Sequence, residues 1–186
     1  MEYSFKEFQK DALTRLLGMD KYKNIMEMFN DKSIDLSESK EFQKCFNGFY
    51  RVRRDSKWQK VYYDYFNRNR YNKNITFDEI VDYMYKNTGY VEASFCSKML
   101  STINPSMPIW DQYVLKSLNI KLEYNTKEEK FENVKKAYKK IIEEENRKLE
   151  NKDIKRLISD FKSFFSEFDF SDIKILDFIL WNNRGN

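Results

Sequence analysis

The sequence predicts an all-α protein on three observations. Apolar residues recur at i, i+3, i+4 and i+7 along most of the 186 residues. Capping-box signatures stand at two of the expected helix starts. No alternating apolar and polar run marks a strand. With 41% hydrophobic and 17% aromatic residues, the chain has the material for one core, or for two small lobes.

The elements follow in order. Phe42, Cys45, Phe46 and Phe49 form one apolar stripe, and Trp58, Val61, Tyr62, Tyr65 and Phe66 form the next. Thr76 with Glu79 caps a helix carrying Phe77, Ile80, Val81 and Met84 and ending near Asn87, before a turn at Thr88-Gly89. A second helical run passes through Phe95, Met99 and Leu100 into a loop bounded by Pro105 and Pro108. Asp111 then stands before Val114, Leu115 and Leu118, whose spacing is helical. Thr126 and Glu129 repeat the box before Phe131, Val134, Tyr138, Ile141 and Ile142. The charge-rich stretch from Lys139 to Lys155 reads as a solvated helix end and turn. Ile154, Leu157, Ile158, Phe161, Phe164, Phe165 and Phe168 predict one further amphipathic helix. Ser171 is expected to cap the last one, with Ile175, Leu176, Ile179 and Leu180 on its buried face. No repeat, low-complexity tract or linker divides the chain, so residues 1–186 are read as one unit.

What is missing narrows the chemistry. Without a histidine, neither a Ser-His-Asp or Cys-His centre nor a histidine-bearing zinc site can be built. Gly18, Gly48, Gly89 and Gly185 are isolated, so no glycine cradle exists for a nucleotide phosphate. Cys45 and Cys96 lack metal or redox spacing and read as buried thiols. No metal or cofactor is expected, and catalysis would rest on carboxylates, lysines, hydroxyls or backbone dipoles. With no leader-like N-terminus and no membrane-length apolar run, the expectation is a soluble cytoplasmic protein without a membrane partner.

Net charge is +4 and unevenly distributed. Between Lys44 and Lys73, nine basic residues stand against Asp55 and Asp64, an excess of seven. Arg51, Arg53, Arg54, Lys57, Lys60, Arg68 and Arg70 are the candidates for contact with a DNA backbone, and interleaved tyrosines could stack on exposed bases. The same stretch also reads as an ordinary solvated face.

The loop "PSMPIWDQYVLKSL" raises the sharper question. Asp111 has the position of an N-cap, accepting hydrogen bonds from the first free amides of a helix, and that structural need accounts for an isolated aspartate there. The residues upstream add a second reading. "NTGYVEASF", the following helix and "PIWDQYV" together resemble the hairpin, second hairpin helix and aspartate-bearing loop of the helix-hairpin-helix DNA glycosylase superfamily, in particular bacterial 8-oxoguanine-glycosylase-like proteins. The family patterns are LPGVGxKTA and P-V-x-D-x-x-V. Pro108, Ile109, Asp111 and Val114 match the second, and the resemblance covers residues 89–120.

In the hairpin, Gly89 stands for the first glycine, Val91 for the second, and Ala93 for the lysine, or Glu92 if the register slips by one. The nucleophilic lysine of bifunctional members therefore has no counterpart, and Lys98, farther along the helix, is expected to point elsewhere. What the resemblance implies is DNA binding with monofunctional chemistry. Asp111 would be the catalytic carboxylate, stabilising positive charge on a deoxyribose as an N-glycosidic bond breaks. Trp110, Tyr113 and Tyr90 would be the candidates to hold a flipped base, with ordinary packing as the other reading of Trp110 and Tyr113. The family layout implies a hairpin-bearing lobe at about 38–110, a second lobe of about 1–37 plus 111–186, and a cleft between them at Asp111. The alternative from a different class is a catalytically inactive helical interaction or scaffold module with a protein partner, for instance in a mobile-element or defence setting.

Overall fold

Side chains fix where the helices of this protein begin. The computed structural model describes residues 12–182, and the side chains of residues 18–180. It contains nine helices and no strand among the described residues; residues 1–11 and 183–186 of the expected second lobe lie outside them. The helices are α1 (Ala12–Asn30), α2 (Lys40–Tyr50), α3 (Ser56–Asn69), α4 (Phe77–Thr88), α5 (Ala93–Ile103), α6 (Gln112–Ser117), α7 (Lys127–Leu149), α8 (Lys152–Phe164) and α9 (Asp172–Asn182). Both expected capping boxes form. Thr76 N–H donates to Glu79 Oε2 at 2.8 Å and Glu79 N–H returns to Thr76 Oγ1 at 3.2 Å; Thr126 and Glu129 do the same for α7. Ser39, Asp55, Asn151 and Ser171 cap α2, α3, α8 and α9 by accepting from backbone amides.

Two apolar cores result. The first joins Ile25 and Phe29 of α1 with the buried faces of α2 to α5, Val114 of α6, and Val134, Ala137, Tyr138 and Ile141 of α7. At its centre Phe42, Phe46, Tyr62, Tyr63 and Phe66 meet mostly edge to face, as in Phe46 against Phe66 at 5.5 Å between centroids. Each such buried ring contributes about 1.5–3 kcal/mol by leaving water. The second core is built by Met19 and Tyr22 of α1, the apolar face of α8, and Ile175, Leu176, Ile179 and Leu180 of α9. Thus α1 serves both cores, and α9 packs on α6, α7 and α8.

Three expectations are corrected. The stripe read as one helix through Phe168 leaves the helix at Phe164; Phe165, Phe168 and Phe170 fill the second core from the connecting segment, because apolar spacing reports burial and not backbone form. Cys96 is buried as expected, but Cys45 is only half-buried. Arg70, taken from sequence as a surface cation, is 4% exposed. Its guanidinium donates to the carbonyls of Met28, Phe29, Asp31 and Ile34, with Ile34 O at 2.5 Å, and so satisfies the otherwise orphaned C-terminal end of α1.

This arrangement makes Arg70 a folding residue. Arg70→Met is expected to cost about 3 kcal/mol or more, since several charge-assisted bonds vanish and buried carbonyls lose their donor. Arg68→Met, at an exposed position, should change stability by no more than about 0.5 kcal/mol. Urea denaturation of both variants checks the difference.

Candidate functional site

The hairpin is built around a glycine. Helix α4 ends on Gly89, whose φ of 74° lies in the left-handed region and whose N–H donates to Tyr85 O at 2.8 Å. Thr88 Oγ1 donates to Met84 O and accepts from Tyr90 N–H, and α5 begins after Glu92. The turn therefore spans Gly89 to Glu92. At its tip Tyr90 is 49% exposed, with the Arg54 guanidinium 4.5 Å above its ring. Arg54 also forms an ion pair with Glu92.

Three elements hold the loop from Asn104 to Trp110. Trp110 N–H donates to Ser97 Oγ on α5 at 2.7 Å. Tyr138 OH on α7 donates to Pro108 O at 2.7 Å, and Ser171 Oγ, at the start of α9, donates to Pro105 O at 2.5 Å. These hydrogen bonds fix where α6 starts. Asp111 is its N-cap, accepting from Tyr113 N–H at 2.8 Å, and remains partly exposed.

Lys98, expected to point elsewhere than the hairpin-lysine position, turns into the protein. Its ammonium is buried, donating to Ser94 Oγ at 3.0 Å and Tyr50 O at 3.3 Å, and it lies in the field of Asp111. Burial lowers its pKa to about 8; Asp111 opposes that shift, while Lys174 and Arg51 add to it. Helical geometry puts Lys98 a turn and a half from the expected lysine position, and its hydrogen bonds go to Ser94 and Tyr50.

The other expected residues divide. Tyr90 stands outward; Tyr113 is partly exposed; Trp110 is 7% exposed within the first core, which corrects its reading as a base-pocket wall. Val91 is half-buried and Ala93 is buried against the first core. Of the cations, Arg51, Arg53 and Lys57 are exposed in the segment that leads through Arg54 to the hairpin. Arg51 itself is the left-handed cap of α2, with a φ of 55°. Lys60 pairs with Asp64 at 3.3 Å. Arg68 lies over Tyr65 and Tyr83, which stack at 3.7 Å, and bonds the Tyr83 hydroxyl.

Sequence reasoning missed a buried ionic group behind Asp111. Lys174 and Asp177 of α9 form an ion pair of 3.0 Å at 4% and 3% side-chain exposure. Their signal was legible, since two charges stand inside the apolar run "IKILDFILW". Among the described residues, no cluster of three or more metal-ligating side chains occurs, and no helix is long and apolar enough to cross a membrane. Compared with known proteins, the chain matches no family model and has no significant match among curated proteins or solved structures.

Two substitutions separate cap from carboxylate. Asp111→Asn retains the capping oxygen and should leave stability within about 0.5 kcal/mol, whereas Asp111→Ala should cost about 1 kcal/mol. Urea unfolding reads both.

Proposed function

We propose that this protein binds DNA in the manner of a helix-hairpin-helix glycosylase-like protein and sets the Asp111 carboxylate against a deoxyribose. The activity is monofunctional removal of a base. The observation that carries the reading is the delivery of Asp111: a partly exposed carboxylate, at the end of a loop held from three sides, directly after a helical hairpin. A carboxylate so held needs little reorganisation to stabilise positive charge developing on a sugar or to direct a water to it. Arg51, Arg53 and Lys57 supply cations for phosphates on the segment beside the hairpin, and Tyr90 supplies an exposed ring for a base. Tyr113, next but one to Asp111, is the other aromatic candidate for holding a base.

The second reading, a helical interaction module with a protein partner, is favoured by the engagement of the other cations. Arg54 is neutralised by Glu92, Lys60 by Asp64, Arg68 is held by tyrosines and Arg70 is buried. The phosphate-facing charge is thus smaller than the sequence count.

Fluorescence anisotropy distinguishes them, using a plain duplex and one carrying a cationic pyrrolidine abasic analogue at several salt concentrations. Wild type should prefer the analogue, and Asp111→Asn should lose that preference while still binding the plain duplex. Arg53→Glu with Lys57→Glu should weaken binding to both duplexes and reduce the salt slope by about one for each phosphate that is no longer neutralised. Equal weak binding of both duplexes by both proteins would leave Asp111 a helix cap and favour the interaction module.

A further inference from the structure

Glu145 is a buried carboxylate without a partner among the described residues. It sits on α7 in "EEEN", in a stretch whose sequence reads as solvent-facing; Glu143 is exposed and Glu144 pairs with Arg147. Glu145 is 0% exposed, and neither of its carboxylate oxygens has a hydrogen-bond partner among the described residues. An orphaned buried carboxylate is expensive when ionised and much less so when it carries a proton.

The charged and titratable groups that face it come from two helices. From α9 come Asp177 and Lys174; from its own helix, Lys148 and Tyr138. Of the charges that α4 and α8 bring near α7, Asp78 and Asp82 of α4 pair with Lys139 and Lys135, and Lys155 of α8 pairs with Glu150. Lys174 and Asp177 form a buried ion pair, one cation and one anion that cancel. Glu145 is the third ionisable group there, and among the described residues no cation forms an ion pair with it. Lys174 belongs to Asp177, and Tyr50 and Tyr22 help to hold that ammonium charged against its burial.

The location gives the proton a consequence. Helix α7 supplies the first core, α9 supplies the second, and Glu145 faces the residues of α9 across the line where the two meet. We propose that Glu145 carries a proton in the folded protein, so that the seam between the two cores is firm in mildly acidic conditions and weakens as the pH rises and the proton is drawn off. This inference is independent of DNA binding.

The direction follows from linkage. Burial, reinforced by Asp177, holds the Glu145 carboxyl well above its ordinary value of 4.5, with Lys174 and Lys148 pulling the other way. Below the ordinary value the contribution is fully present. From there up to the raised folded value the folded protein holds a proton that the unfolded chain has released, and each pH unit costs about a factor of ten in the folding constant. Above the folded value the contribution is gone.

Urea unfolding of wild type and Glu145→Gln from pH 5 to pH 8 tests this, because the amide reproduces the neutral form and titrating groups that do not interact with Glu145 cancel in the comparison. The ratio of wild-type to variant folding constants should fall about tenfold per pH unit over the window in which Glu145 alone keeps its proton. Parallel curves overturn the proposal. Should the variant fail to fold, carboxyl-carbon NMR of glutamate-labelled wild type decides: one glutamate titrating well above the others supports it, and a full set titrating near the ordinary value overturns it.

Discussion

A helix buried on every side must find partners for its own polar side chains, and α5 is such a helix. Ser97, Lys98, Ser101 and Thr102 all lie inside the protein. Leaving them unsatisfied would cost free energy comparable to what good packing provides. Thr102 turns back to the carbonyl of Lys98, Lys98 reaches Tyr50 O and Ser94, and Ser97 takes the amide of Trp110. Of these four, only Ser101 finds no partner for its hydroxyl among the described residues. The position of the loop before Asp111 is therefore a consequence of how α5 is satisfied. The hairpin, which aims α5, and the carboxylate, which follows it, are mechanically one unit.

The same logic operates at the other end of the chain with charges in place of hydroxyls. Helix α9 carries Lys174 and Asp177 into the interior, where they can persist only as a close pair. Removing one partner of such a pair would leave the other charge buried and uncompensated. Asp111 is among the charges that act on Lys98 and, more weakly, on Asp177.

The basic stretch shows how a charge count misleads. Arg68 and Arg70 are two residues apart, yet one lies in a tyrosine stack on the surface and the other serves as the C-terminal cap of α1. A guanidinium can donate five hydrogen bonds, which makes arginine the side chain best able to close a helix end from a distance. Nothing in the local sequence distinguishes these two uses, because the carbonyls that Arg70 serves belong to α1 and the turn after it, two helices earlier in the chain.

By itself the sequence determined the helical class, the starts of the helices capped by Thr76, Thr126 and Ser171, the turn at Gly89 and the N-cap role of Asp111. These depend on groups within a few residues of one another: a Thr and a Glu three apart, a glycine that tolerates positive φ, an aspartate beside free amides. Tertiary structure decided what long-range packing controls. It buried Trp110 and Arg70, ended α8 while the apolar spacing ran on, carried Lys98 to the carbonyl of Tyr50, and closed α9 over a glutamate from a stretch that reads as solvated. In each of these cases the deciding partner lies on another element, and the free energy of burial or of a buried charge exists only once that partner is in place.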